Sequence, residues 1–117
     1  MRVVRINELI KREISSILHT RYRDASVRIT ISDVDTAPNL KDAIVFYDVL
    51  GSTTDQVAAR RFFAREGRHI RALVGKVIVL KYLPNLSFQF DDSLERGSRL
   101  NALMDALEPG QDEPGNS

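Results

Sequence analysis

The spacing of hydrophobic positions changes along the chain, and each spacing predicts a secondary-structure element. Over residues 3–18 apolar side chains recur every three or four positions, the period of an amphipathic helix; they are Val3, Ile6, Leu9, Ile10, Ile14, Ile17 and Leu18. Residues 27–31 alternate between apolar and polar, and residues 43–50 are rich in β-branched and aromatic side chains. The turn-forming stretch 36–42, which contains Pro38 and Asn39, lies between them, so the pattern predicts a β-hairpin.

A second helix is predicted to start near Asp55, after the breaker Gly51 and the capping residues 52–54. We expect it to break or kink at Gly67, because a glycine inside a helix costs about 1 kcal/mol, and a short helix then continues to Gly75. Residues 76–83 are predicted to form a third strand, which the alternation of residues 86–90 extends.

A final helix is predicted to begin at an N-cap, Asp92, with Glu95 completing a capping box. The element order is therefore α-β-β-α-(kink)-α-β-α, which predicts one α+β domain over residues 1–107 with a three-stranded sheet and helices on one face. Residues 108–117 contain no large apolar side chain and are predicted to be a disordered acidic tail.

Composition excludes several classes of site. The 117 residues include no cysteine, which removes disulfides, thiolate metal sites and thiol nucleophiles, and no phosphate-loop or GxSxG motif occurs. His19 and His69 are far apart, so no histidine metal site is expected. The pair Asp91-Asp92 is better interpreted as a helix cap than as an acid/base or metal pair. Without a signal peptide pattern or a membrane-length apolar run, we expect a cytosolic protein.

Charge is distributed unevenly along the chain. Residues 1–90 carry 15 Lys and Arg against 9 Asp and Glu, whereas residues 91–117 carry 2 against 7. The stretch from residue 60 to residue 81 has a single acid, Glu66, and seven basic residues: Arg60, Arg61, Arg65, Arg68, Arg71, Lys76 and Lys81. On a helical wheel the five arginines share one face and the apolar residues occupy the opposite one.

Like charges at this spacing destabilise an isolated helix, and arginine binds phosphate oxygens in bidentate fashion, so the face suits a polyanion. We expect the arginines, with Lys76 and Lys81 on the following strand, to contact RNA phosphates. Gly67 is expected to contribute by letting two helix ends converge on a phosphate, although a packing glycine is the simpler interpretation. A solvated face that pairs with the acidic C-terminal region explains the charges about equally well.

Several motifs resemble the ribosome-binding factor A family, which has a type II KH fold. The similar residues span about 2–107 and include the helix RINELIKREISSIL, residues 43–46 and residues 70–76. The most specific stretch begins at Pro84 and looks like the family's P-x-L-x-F-x-x-D-x-S-x-x-x-G-x-R signature, which ends here at Gly97 and Arg99. Glu66-Gly67-Arg68 occupies the place of the family's Ala-x-Gly kink, with the glycine one position early.

The resemblance implies a non-catalytic, monomeric assembly factor without a cofactor or metal. It implies binding to the small (30S) ribosomal subunit and its precursor 16S rRNA during late maturation and 5′-end processing, and a role in growth in the cold. Ribosomal proteins or an assembly GTPase are further candidate partners. The alternative interpretation is a protein–protein interaction module that acts through the hairpin edge or the acidic tail, and a small hydrolase is a more distant one.

Overall fold

The computed structural model describes residues 2–78 and 83–92, which form two helices and three strands. Helix α1 spans Arg2–Arg21, and strands β1 and β2 span Ile29–Thr36 and Asp42–Val49. Helix α2 spans Thr53–Val77, and strand β3 spans Asn85–Phe90. The predicted α+β class with a three-stranded sheet is confirmed.

The sheet is mixed, with the strands in the order β1-β2-β3. Strands β1 and β2 form the predicted antiparallel hairpin, in a register that pairs Ile29 with Val49 and Thr36 with Ala43 and contains an irregularity between Ile31 and Asp33. Strand β3 pairs with β2 in parallel. A parallel pair requires a crossover connection, and α2 provides it.

Both described helices pack on the same face of the sheet. Helix α1 buries Ile6, Ile10, Ile14 and Ile17, as its periodicity predicts. They join residues of the inward-facing side of β2, including Val45, in one hydrophobic core. Burying each such side chain stabilises the fold by about 1.5–3 kcal/mol, so this contact fixes where the helices sit.

The chain closes the hairpin by placing a leucine in an unusual backbone conformation. Leu40 has φ 63°, in the left-handed region, and its amide donates to the Ala37 carbonyl at 2.9 Å. The side-chain oxygen of Asn39 accepts a hydrogen bond from the Lys41 amide at 2.8 Å. Asn39 therefore supports the turn by side-chain bonding, while Leu40 takes the left-handed position.

Helix α2 is one continuous α-helix, so the predicted division into two helices at Gly67 is wrong. Phe63 and Ile70 are buried on either side of the glycine. The packing of two large side chains outweighs the penalty of about 1 kcal/mol for a helical glycine, and the helix passes through.

The third strand begins later than predicted. Lys76 and Val77 belong to the last turn of α2 instead of a strand, and the Ile78 amide donates to the Val74 carbonyl at 2.9 Å. Val74 and Ile78 are four residues apart and both buried, so helical packing overrides the strand preference of this segment. Lys81, the predicted final helix after Asp92 and the predicted tail at 108–117 lie outside the described residues.

Candidate nucleic-acid interface

Helix α2 separates its charged and apolar side chains onto opposite faces. Its buried residues are Ala59, Phe62, Phe63, Ile70, Leu73 and Val74. Four of the predicted arginines are exposed: Arg60, Arg61, Arg65 and Arg68, which we call the arginine face. Within residues 2–78 and 83–92, the guanidinium groups of Arg60, Arg61 and Arg68 make no hydrogen bond or ion pair.

Small residues separate the side chains of the arginine face. Ala64 is exposed and lies among Arg61, Arg65 and Arg68. Ala72 and Gly75, further along the helix, are also exposed. The small side chain of Ala64 therefore leaves space for a ligand beside these guanidinium groups. Lys76 is exposed in the last turn of the helix, where a positive charge also complements the helix dipole.

Arg71 differs from the other four arginines because the fold uses its guanidinium. Its Nε donates to the Pro84 carbonyl at 2.9 Å, and its Nη2 donates to the Leu83 carbonyl at 2.7 Å. These bonds tie α2 to the two residues that precede β3. Three of the five N–H groups of an arginine remain for a ligand, so Arg71 stays a predicted RNA contact with reduced capacity.

Gly67 makes room for an aromatic ring. A Cβ atom at this position would lie 3.2 Å from Cε2 of Phe88, closer than most real contacts. The Phe88 ring stacks on Phe63, with centroids 4.5 Å apart and an interplanar angle of 9°. The structure thus gives Gly67 a packing role between α2 and β3, and its predicted contact with RNA stays a prediction.

The single acid of the basic stretch orients one of its arginines. The Glu66 carboxylate lies 3.4 Å from Nε of Arg65 and accepts a hydrogen bond from the Tyr22 hydroxyl at 3.1 Å. The Arg65 guanidinium carbon lies 5.9 Å from the centroid of the Phe62 ring, within cation–π range. Burial and the bond to Glu66 raise the pKa of Tyr22, which remains a neutral donor at physiological pH. Tyr22 is half-buried in this network, so its ring is not freely exposed for stacking on a base.

A groove that the sequence did not predict lies beside the arginine face. It has a volume of about 470 Å³ and runs between the segment Asp24–Ile29 and the first half of α2. Arg28, Arg61 and Arg65 line it together with apolar side chains that include Val49 and Phe62. Its two walls are more than twenty residues apart in the chain, so no local pattern could have predicted it.

Asp55 anchors one end of the groove. Its carboxylate accepts a hydrogen bond from the Ser52 amide at 2.8 Å and lies 3.9 Å from Nε of Arg28. The bonds from Ser52 lower the pKa of Asp55, and Arg28 adds a smaller effect in the same direction. Arg28 also donates from Nη1 to the Leu50 carbonyl at 3.3 Å, so the start of α2 and the end of β2 hold it in place.

The other candidate residues do not assemble into a reaction centre in the part of the chain that the structure describes. His19 and His69 are exposed on different helices. Asp91 accepts a hydrogen bond from the Ser32 hydroxyl, and its amide donates to the Tyr47 carbonyl at 2.6 Å. Among the described residues, no three acidic or histidine side chains are grouped as a metal site would need. The helices described here include none that is long and apolar enough to cross a membrane.

Known proteins are similar to this chain both in sequence and in fold. A family model described as Ribosome-binding factor A matches residues 2–104. The chain is 39% identical to a ribosome-binding factor A of Opitutus terrae over 107 residues, covering 92% of this chain and 88% of the relative. It is 34% identical to the one of Natranaerobius thermophilus over 113 residues, covering 96% of this chain and 86% of the relative.

A solved structure gives the same result for the fold. The crystal structure of ribosome-binding factor A from Thermus thermophilus superposes with a TM-score of 0.64 at 16% identity, covering 74% of this chain and 93% of that chain. These matches confirm the resemblance that the sequence motifs indicated, and the structural match confirms the fold class.

Proposed function

The chain belongs to the ribosome-binding factor A family, and from that premise we propose that it is a non-catalytic assembly factor for the small (30S) ribosomal subunit. It binds the subunit and its precursor 16S rRNA during late maturation and 5′-end processing, as a cytoplasmic monomer without a cofactor, and supports growth in the cold. The family name supports ribosome binding, and the finer statements rest on the resemblance together with the electrostatics of α2.

The observation that carries the proposal is the arginine face. Exposed like charges repel one another, and the described residues offer Arg60, Arg61 and Arg68 no acidic partner. An RNA surface supplies regularly spaced negative charge, and neutralising it releases counterions, which favours binding. Guanidinium groups bind phosphate oxygens in bidentate fashion. Such contacts position a protein on RNA without reading the base sequence.

The hairpin edge gives little support to the alternative function, that of a protein–protein interaction module. Strand β1 lies at one edge of the described sheet, where an extended peptide could add as a further strand. Its register is interrupted between Ile31 and Asp33, and Asp33 and Asp35 are exposed along it. Bulges and charged side chains are devices that protect edge strands from pairing, so RNA binding is the better-supported function.

Charge reversal on the arginine face tests the proposal. The double variant Arg61→Glu, Arg65→Glu should lose at least tenfold in affinity for purified 30S subunits in co-sedimentation, because two phosphate contacts become repulsive. The matched control, Lys11→Glu with Arg12→Glu, changes the net charge equally on the exposed side of α1 and should stay within about threefold of the wild type.

Circular dichroism should show all three proteins folded, since the four substituted side chains are exposed. Equal loss in both double variants would mean that net charge alone drives the association. Unchanged pelleting of the Arg61→Glu, Arg65→Glu variant, or no preference of the wild type for 30S over 50S subunits, would contradict the proposal.

A further inference from the structure

The groove beside the arginine face combines an apolar lining with a cationic rim. Val27 on its outer wall is 78% exposed although it is apolar. Across from it, the exposed Ala58 and the buried Phe62 line the groove from α2, and Arg61 and Arg65 stand on the rim. A volume of about 470 Å³ lies within the range of sites for small ligands. The groove is therefore suited to a compact group that is flat and apolar in one part and anionic in another.

Arg65 is held as a stacking platform at the rim of this groove. Its guanidinium lies over the Phe62 ring, and Glu66, itself bonded to Tyr22, holds its Nε. One side of the guanidinium thus lies toward the Phe62 ring, whereas the Arg65 side chain as a whole is 64% exposed. Proteins that bind unpaired RNA stack bases on aromatic rings and on arginine guanidinium planes.

We propose that the groove binds one unpaired nucleotide of RNA. The base stacks on Arg65 against the apolar lining, and its phosphate lies within reach of Arg61 and Arg28. This inference rests on the proposed function and adds to it a site for a single-stranded base, which phosphate contacts alone do not require. An acidic peptide fits less well, because Asp24 and Asp55 also line the groove and oppose a run of carboxylates. The carboxylates of Asp24 and Asp55 can instead accept a hydrogen bond from the exocyclic amino group of a base.

Within this site Tyr22 and Glu66 are positioning residues. Neither needs to touch the nucleotide, since they act by fixing the plane of the Arg65 guanidinium. Removing the Tyr22 hydroxyl leaves its ring against Phe62, where the two centroids are 5.2 Å apart. Tyr22→Phe therefore removes the orienting hydrogen bond and leaves the packing in place.

The test compares two fluorescent probes of equal charge. One is an oligoadenylate of about ten nucleotides, and the other has the same length and backbone with stable abasic sites in place of every base. The wild type should bind the oligoadenylate about tenfold more tightly, since stacking of one base contributes a factor of about 5 to 150. Arg65→Lys keeps the charge but removes the plane, and it should abolish most of this preference.

The matched control is Arg12→Lys, the same substitution at an exposed arginine of α1 that neither lines the groove nor belongs to the arginine face. It should leave the preference within about twofold of the wild type. Tyr22→Phe should lower the preference by a factor of about two to five without changing affinity for the abasic probe.

Retention of the full preference by Arg65→Lys, or equal loss in Arg12→Lys, would overturn the nucleotide site. Absence of any preference in the wild type, including failure to bind either probe, would overturn it too. If the wild type still pelleted with 30S subunits in those cases, the proposed function would stand without this site. Failure to pellet would remove the proposed function itself.

Discussion

Replacing Arg71 distinguishes a structural role of this α2 residue from a role in binding alone. Its Nε and Nη2 donate to the carbonyls of Pro84 and Leu83 at 2.9 and 2.7 Å. A hydrogen bond from a charged donor contributes about 1.5–3 kcal/mol net, and the half-buried setting places these two toward the lower end. Releasing the side chain from its fixed rotamer returns up to about 2 kcal/mol of conformational entropy. Arg71→Ala should therefore lower the free energy of unfolding by about 1–3 kcal/mol.

The assay is urea denaturation followed by far-ultraviolet circular dichroism, with a thermal melt alongside. A loss of about 1–3 kcal/mol corresponds to a fall in Tm of roughly 4–12 °C for a chain of this length. The control is Arg68→Ala, the same substitution on the same helix at an exposed residue, which should change the free energy of unfolding by no more than about 0.5 kcal/mol. Arg71→Ala with the stability of wild type, or an equal loss in Arg68→Ala, would refute the assignment of Arg71 to the α2–β3 connection.

Three further substitutions test other parts of the account by equilibrium unfolding. In a Phe88→Ala background, Gly67→Ala should increase stability by about 1 kcal/mol, whereas in the wild type it should give no gain because the new Cβ crowds the Phe88 ring. Equal gains in the two backgrounds would contradict the packing role of Gly67. Gly51→Ala should destabilise the protein by at least about 1 kcal/mol, since Gly51 has φ 131° and a Cβ there would clash with the Asp55 carboxylate. Unchanged stability would refute this. The hydrogen bond from the Ser52 amide is the main cause that lowers the pKa of Asp55. The ionised Asp55 carboxylate therefore stabilises the fold fully at neutral pH, and this stabilisation is lost as the pH falls below about 4. The stability difference between wild type and Asp55→Asn should therefore shrink on acidification, and a constant difference from pH 7 to pH 3 would contradict the cause given.

Local patterns predicted those parts of the fold that depend on neighbouring residues in the chain. The steps of three and four residues between Ile6, Ile10 and Ile14 correspond to one buried stripe on α1. The alternation in the hairpin, with turn residues between the strands, led to the correct antiparallel pair. Helical spacing also separated the arginines of α2 from its buried residues, because one helix turn brings them onto a common face.

The errors came from contacts between distant segments. The break at Gly67 and the early start of the third strand followed from local propensity, which the packing of Phe63, Ile70 and Val74 overrides. The ring beside Gly67 belongs to Phe88, more than twenty residues later in the chain. The hydroxyl that bonds Glu66 comes from a tyrosine 44 residues away. These partners become neighbours only when the sheet and helices have packed, so spacing along the chain does not reveal them.

The measurement that tests the central claim most directly is the salt dependence of binding to purified 30S subunits. If the four residues of the arginine face each neutralise about one phosphate, the logarithm of the binding constant should fall with the logarithm of salt concentration with a slope of roughly −3. Replacing Arg61 and Arg65 with glutamine should reduce that slope by about 1.5, because two of the contacts are removed. Selective binding to 30S subunits with both results is what the account predicts. Selective binding with a flat slope would contradict the claim that the arginine face contacts RNA phosphates. Equal binding to 50S subunits would contradict the assignment to the small subunit.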